Sequence, residues 1–356
     1  MMVDFLIVGH GIAGICVAEH LERYGATFSV INHENTHSSS RVAAGLYNPI
    51  TGRKMKKTWL ADEIFPYLES FYGSLQEKLK TPFLIKKNIY RPFTSIEEQN
   101  EWIGSDLEIS SGGVNFIHSV ATAAKYQEFI HDPYGGIMLA YSGFLDLNAL
   151  IDAHKNYLIE NGRYHAEKLD FKQLKISHDL VEYGPYKARK IIFCDGPLSD
   201  NPYFNWVPTA PVKGEILHIE TEKPLPEDVI FNRGVFIVKH TKHNYYRVGA
   251  TYEWKKLDNQ PTEKAKNHLV DKLNDLLKVP FNIVDQIAGV RPASKDRRPL
   301  IGNHPVQNNV FLFNGLGTKG VSLAPYFAND LCLFILKNKN LKEEVNISRY
   351  NSLHSR

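Results

Sequence analysis

Cysteine is scarce in this chain, with three among 356 residues. Cys16, Cys194 and Cys332 lie far apart in apolar stretches, and no CxxC pair occurs. So odd and sparse a set excludes a disulfide framework and a zinc site, and no metal is expected. The three read as core residues of a cytoplasmic protein. Long apolar runs are also missing. None approaches the roughly 20 residues that a spanning helix needs, so no integral membrane protein is expected. Met1-Met2-Val3-Asp4 has no basic n-region, and the apolar run behind it ends in glycines, which predicts no signal peptide. Charge of one sign is absent as well. Lys+Arg total 42 against 39 for Asp+Glu, a net charge of +3, too mild to imply a nucleic-acid partner. The run Arg53-Lys54-Met55-Lys56-Lys57 can touch phosphates or anionic lipid, but reads first as a solvated loop. Neither internal repeats nor low-complexity segments are found.

What is present is ordinary for a globular chain, at 43% hydrophobic and 23% charged residues. At about 150 residues per domain the length suggests two domains. The opening carries the most information. Phe5-Leu-Ile-Val8 is a short apolar run suited to a strand buried on both faces. It runs into Gly9-His10-Gly11-Ile12-Ala13-Gly14, then a helical pattern that Gly25 stops, then a second strand at 27–31. Strand, glycine turn, helix and strand form the opening unit of a dinucleotide-binding fold.

The middle is less regular. Residues 58–79 have helix-like spacing broken by Pro66 and Gly73. A helix is expected from Gly143-Phe-Leu-Asp146 to about Glu160, then strands at 173–177, 181–183 and 190–194. Pro197, Pro202, Pro208 and Pro211 cannot sit in helix or central sheet, and mark a crossing between domains. Strands at 212–219, 235–238 and 245–250 and an amphipathic helix at 262–277 suggest a mixed α+β sheet. After Arg291 the chain returns with a strand at 310–313, a glycine loop at 314–320 and a last helix at 321–336.

In GxGxxG, Gly9 makes the turn, Gly11 lets amides approach a pyrophosphate and Gly14 lets helix pack on strand. The amides of Ile12 and Ala13 open the helix, whose N-terminus adds partial positive charge. An acid usually ends the second strand and holds a ribose. Asn32 stands there instead, with Glu34 two residues later. The small residues of Ser38-Ser-Ser-Arg-Val-Ala-Ala-Gly-Leu-Tyr-Asn-Pro49 let backbone lie against a flat ring, which favours flavin over nicotinamide. The loop Asn314-Gly-Leu-Gly-Thr-Lys-Gly-Val321 exposes amides before a helix. Those amides and Lys319 suit the negative charge of a reduced flavin.

These blocks resemble the FAD-dependent amino acid/amine oxidase family that includes D-amino acid oxidase, sarcosine oxidase and glycine oxidase. The resemblance spans nearly the whole chain and is strongest to glycine oxidase. It rests on Val8–Gly14, Arg41-Val-Ala-Ala-Gly45, Gly143-Phe-Leu-Asp146, Phe193-Cys-Asp-Gly196 and Pro211-Val-Lys-Gly-Glu215. It rests further on Val248-Gly-Ala-Thr251, on the stretch from Ala288-Gly-Val-Arg-Pro292 to Gly302, and on 315–325. The implied fold class is α/β with α+β: a Rossmann-like FAD-binding domain from 1–50, 140–210 and 288–356, with a mixed-sheet substrate domain from 51–139 and 211–287. FAD would be dissociable, since no cysteine attachment site is evident. Its cradle would be Gly9, Gly11, Ile12, Ala13, Gly14 and Asn32, then Ser40, Arg41, Ala43, Ala44, Gly45 and Gly196. Gly315, Gly317, Thr318, Lys319, Gly320 and Val321 would close it.

The resemblance implies that Arg291 grips a substrate carboxylate through two parallel bonds. Arg291 and Lys319 are the expected catalytic residues. The family's carboxylate-binding tyrosine is replaced by Phe236, and Tyr245, Tyr246 or Arg247 are the candidates to replace it; Tyr246 joins Arg291 and Phe236 in the expected substrate set. His240 and His243 read as surface histidines of a hairpin. The implied reaction oxidises the C–N bond of a small amine or amino acid by hydride transfer to flavin N5, and water hydrolyses the imine. Oxygen or another acceptor then takes the electrons. The chemistry rests on the cofactor, which accounts for the lack of a Ser-His-Asp or paired-carboxylate pattern. Three alternatives stand beside it. One is oxidation of an aminomethyl-type group on modified tRNA, since a tRNA-modification enzyme contains such a domain. The others are a non-catalytic FAD-binding module and a peripheral dehydrogenase feeding membrane quinone.

Overall fold

The structure, a computed structural model, describes residues 2–52, 55–104, 113–197, 201–240 and 243–354. Arg53 and Lys54 of the basic run lie outside the described residues. Along the chain come β1 (Met2–Val8), α1 (Ile12–Arg23), β2 (Phe28–Ile31), the short α2 (Ser39–Val42), β3 (Leu46–Tyr47), β4 (Ile50–Thr51), β5 (Lys56–Lys57) and α3 (Ala61–Leu79). Then follow β6 (Leu84–Lys86), β7 (Asn88–Pro92), α4 (Ile96–Gly104), β8 (Ile117–Ala121), β9 (Gly136–Leu139), β10 (Gly143–Leu145), α5 (Leu147–Glu160), β11 (Tyr164–His165), β12 (Leu174–Ile176), β13 (Val181–Tyr183) and β14 (Tyr186–Phe193). The last part holds β15 (Val212–Thr221), β16 (Val229–Arg233), β17 (Val235–Lys239), β18 (Tyr245–Gly249), α6 (Glu263–Leu276), β19 (Phe281–Arg291), β20 (Leu300–Asn303), β21 (Val310–Asn314), α7 (Gly320–Lys337) and α8 (Asn351–His354).

The first sheet has the parallel core β11-β2-β1-β14-β21. β20 closes it antiparallel on β21, and a β12-β13 meander runs back onto the near half of β14. Phe5 to Val8 are all buried, as a central strand covered on both faces must be. One of its faces packs on α1 and α7 through Ile15, Cys16, Ala324 and Phe327. The other packs under Phe204, Val207 and Ile347.

The second sheet runs β19-β15-β18-β17-β16-β7-β9-β8 and is antiparallel except where β16 meets β7. Its two faces have different partners. Leu217, Ile219, Ile237, Tyr246 and Val248 pack beneath α6 on Leu269 and Leu273. Ile89, Leu139, Ile230 and Val238 face the first sheet's helices and join their core. This inner face roofs the carboxyl end of the parallel strands. The small sheet β3-β10-β6 stitches the two layers together.

Two expectations are corrected here. α3 is one helix through Pro66 and Gly73. Its buried stripe of Ile64, Phe65, Leu68, Phe71, Tyr72 and Leu75 outweighs the roughly 3 kcal/mol that an interior proline costs, at about 1.5–3 kcal/mol per buried large side chain. Residues 143–145 are strand β10, and the following helix opens at Leu147 because the Asp146 carboxylate accepts from the Ala149 amide (3.1 Å).

Candidate active site

The first loop is shaped by close approach. Gly9 has φ +99°, and a Cβ there would stand 2.4 Å from the Cys194 carbonyl oxygen. Gly11 caps α1 without offering any side-chain bond. A Cβ at Gly11 would meet Ser40 Oγ at 2.9 Å, and that oxygen accepts the Ile12 amide (3.1 Å). Ser40 therefore reaches from the small-residue segment to the same helix end, so both blocks form one wall.

The other wall is the loop after β21. A short turn at Gly317–Lys319 leads into α7. A Cβ on Gly320 would lie 3.3 Å from Ile12 Cγ2, so the N-termini of α1 and α7 are neighbours. Two helix ends with no side-chain cap favour negative charge between them. Asn314 spans the floor: its side-chain amide donates to the Gly196 carbonyl (2.7 Å), and its oxygen accepts the Gly315 amide (2.8 Å). Beside them Asp195 Oδ1 is buried without a partner among the described residues. Burial pushes the Asp195 pKa up to about 6, against the lowering bond from Asn201. A glycine-lined cleft with helix dipoles on two sides and an orphaned acceptor fits a dinucleotide cofactor.

The end of β2 is more committed than the sequence suggests. Asn32 Oδ1 accepts the His10 amide (2.9 Å), and its Nδ2 donates to Tyr164 Oη (2.9 Å). Glu34 pairs with Lys155 (2.5 Å). The Arg41 guanidinium turns onto α5, to Asp152 (2.5 Å) and the Asn148 side chain (3.2 Å). No local sequence pattern marks His10. Its ring is buried and bonds His154 Nδ1 (2.7 Å), and His154 Nε2 bonds Glu19 (3.1 Å), which pairs with Lys78 (2.8 Å). Burial opposes the Glu19 charge, yet His154 and Lys78 win and its pKa falls. Burial also drives the His10 pKa down. An ionised Glu19 thus accepts a hydrogen bond from His154 Nε2, and the two imidazoles share the bond between His10 Nε2 and His154 Nδ1. The network ties the glycine loop to α5.

The roof supplies the substrate side. The β19–β15 register pairs Arg291 with Val212 and Gly289 with Gly214, which puts Arg291 on the inner face. Its guanidinium lies over Gly214, where a Cβ would come within 1.9 Å of a terminal nitrogen. Arg291 donates to the Thr251 carbonyl (3.1 Å) and lies 5.0 Å from the centre of the Tyr252 ring. Among the described residues no carboxylate pairs with it. Burial lowers its pKa, with only Tyr252 opposing. Phe236 shares this face opposite Gly249, where a Cβ would come within 2.9 Å of its ring.

Tyr246 does not, and leaves the substrate set. Side chains alternate along β18, and Tyr246 falls on the α6 face, where its hydroxyl accepts the Leu225 amide (2.8 Å). Its neighbours Tyr245 and Arg247 take the inner face instead. Arg247 is buried and makes a long contact to the Ala43 carbonyl (3.5 Å), and its Nε has no partner among the described residues. Lys319 lies exposed at the rim. Its surroundings and the charges of Arg298 and Arg297 lower its pKa. The three cysteines are buried and free.

A parallel nucleotide sheet whose helix-lined edge lies under an antiparallel roof is the architecture of a flavin-dependent oxidoreductase. The model of the DAO family, FAD dependent oxidoreductase, matches residues 4–332, and the chain belongs to that family. Among curated relatives it is 22% identical over 380 residues to the uncharacterized oxidoreductase YurR of Bacillus subtilis, covering 98% of each protein. It is 27% identical over 393 residues to the tRNA 5-methylaminomethyl-2-thiouridine biosynthesis bifunctional protein MnmC of Aliivibrio fischeri; this covers 94% of the chain but only 56% of that relative. Among solved structures, glycine oxidase from Geobacillus kaustophilus superposes with a TM-score of 0.76 at 18% identity, over 96% of both chains. No helix among the described residues is long and apolar enough to cross a membrane.

Proposed function

We propose that this FAD-dependent enzyme oxidises the C–N bond of a small amine that carries a carboxylate, an amino acid of the glycine, sarcosine or D-amino acid type, in the cytoplasm. The carrying observation is the Arg291 guanidinium, on the inner face with no acidic partner among the described residues and with Gly214 leaving it room. A planar guanidinium orients a carboxylate through two parallel bonds, which fixes the α-carbon against the cleft. When bound, FAD supplies the two-electron chemistry. The chain's own part is to hold the carboxylate at Arg291, to shape the apolar wall at Phe236 and to offer positive charge at Lys319 and the α7 end.

The test is anaerobic bleaching of the flavin by a panel of amines and amino acids. Arg291→Ala should lower kcat/KM for carboxylate substrates at least ~30-fold, as expected for about 2–5 kcal/mol from a buried charge pair, while FAD content stays unchanged. Equal rates for every carboxylate substrate would reject the assignment. A second reading, oxidation of a modified nucleoside in tRNA, is favoured by the match to MnmC over most of this chain. Salt-dependent tRNA binding and loss of the modified nucleoside from bulk tRNA would promote it.

A further inference from the structure

The segment between β18 and α6 presents two large aromatic rings to solvent. Tyr252 is 55% exposed and Trp254 62% exposed. Their rings stack with centroids 6.1 Å apart and planes 22° from parallel. The Arg291 guanidinium sits over Tyr252. Exposed aromatics of this size forgo burial worth about 1.5–3 kcal/mol each, which asks for a reason.

The segment is not a slack loop. Lys213 and Glu253 exchange backbone bonds (2.8 and 2.9 Å). The Glu215 amide donates to Thr251 Oγ1 (3.0 Å), and the Thr251 amide to the Glu215 carbonyl (3.3 Å). The fully buried Lys213 ammonium holds Asp258 (2.6 Å) and the Gln260 carbonyl. The Glu215 carboxylate accepts both the Thr262 amide (2.8 Å) and its hydroxyl (2.9 Å). Residues on alternate positions are pinned to β15, so 252 and 254 project on the other side, Tyr252 beside Arg291 and Trp254 against Tyr252. The Val212-Lys-Gly-Glu215 block thus divides its labour: Gly214 clears space for the guanidinium, while Lys213 and Glu215 fasten the aromatic ledge.

We propose that this ledge recognises a flat ring on the substrate's nitrogen substituent. Resting on the carboxylate reading above, it narrows the substrate class to N-arylmethyl or N-heteroarylmethyl α-amino acids: carboxylate on Arg291, ring on Tyr252 and Trp254. A bare glycine or sarcosine would leave the ledge unused. Stacking needs a π-face and not one hydrogen-bond pattern, so the selection is for planarity.

The test uses the FAD-loaded enzyme and two ligands that cannot be oxidised as amines, (benzylthio)acetate and (methylthio)acetate, followed by perturbation of the flavin spectrum. The benzyl ligand should bind about 10-fold tighter. Trp254→Ala should weaken it ~5- to 100-fold, the range for removing one stacking partner, and leave the methyl ligand within about 2-fold; Tyr252→Ala, which also strips the ring from Arg291, should weaken the benzyl ligand more than the methyl ligand. Tyr252→Phe should keep the preference. N-benzylglycine should exceed sarcosine in kcat/KM by the same sense and lose its lead in the alanine variants. No preference in the wild type, or equal weakening of both ligands by the variants, would overturn the ledge. If the methyl ligand binds through Arg291 and the ring adds nothing, only this inference falls. If neither ligand perturbs the flavin, the carboxylate reading falls with it.

Discussion

Gly214 and Asp195 show how single positions set the chemistry. The missing side chain at Gly214 is the space that Arg291 fills, so Gly214→Ala forces the guanidinium aside. The expected result is a KM for carboxylate substrates raised about 10-fold or more, with FAD retained, from overpacking of roughly 1–3 kcal/mol; steady-state kinetics and flavin absorbance would check it. Asp195 makes a pH prediction. Burial raises its pKa to about 6 from the ordinary 3.8. The folded state then keeps a proton that the unfolded state has released, so Asp195 costs stability as pH climbs through that window and goes on costing above it. Asp195→Asn should stabilise the apoprotein at pH 8 by about 1–3 kcal/mol, and the gain should vanish below the ordinary carboxylate pKa. Urea titrations at the two pH values would read it.

At the scale of elements, α7 carries a proline in its interior. Pro325 has no amide proton for the Val321 carbonyl, and the Tyr72 hydroxyl of α3 donates there instead (3.0 Å). The Pro325 carbonyl in turn takes a bond from His20 Nε2 of α1 (2.9 Å). Three helices are thus joined at one turn of α7. Tyr72→Phe should cost about 1–3 kcal/mol, the range for orphaning a buried acceptor, seen as a lower urea midpoint with unchanged slope. His20 is pushed down to about 4 by burial, with Arg23 adding to the effect. Its contribution is complete above the ordinary histidine value of 6.5 and is lost as pH falls toward about 4.

Elements also mark what the sequence made legible. The opening β1-α1-β2 unit could be read because turn, helix period and buried strand all lie within one short stretch. β7 and β9 could not. Asn88–Pro92 and Gly136–Leu139 are short, and their identity depends on β16, which pairs with β7 from far along the chain. Alternation on β18 separates Tyr246 from Tyr245 and Arg247, but which face turns inward is decided by α6 packing on the other. The strand end at Arg291 was legible because it lies inside a recognisable block. The His10–His154–Glu19 network was not, since it joins residues 144 apart whose partnership no local pattern betrays.

For the whole molecule, a cofactor held where the N-termini of α1 and α7 meet should act as a fold ligand. Added FAD should raise the midpoint of thermal unfolding in a concentration-dependent way, equivalent to about 2.7 kcal/mol at a free concentration 100 times Kd. Because Cys16, Cys194 and Cys332 are all buried, acid precipitation should release the flavin quantitatively into the supernatant.

The parallel sheet has a further consequence, in the order of synthesis. Its middle strand β14 waits for β21, which a ribosome delivers more than a hundred residues later, and α7 comes later still. Until then a nascent chain has the far half of that strand's flank, Ile191 to Phe193, bare and half of its nucleotide cleft unmade. Flavin capture is therefore expected late in translation. A message truncated shortly after codon 300 should yield a colourless, aggregation-prone product, however well its first βαβ unit folds.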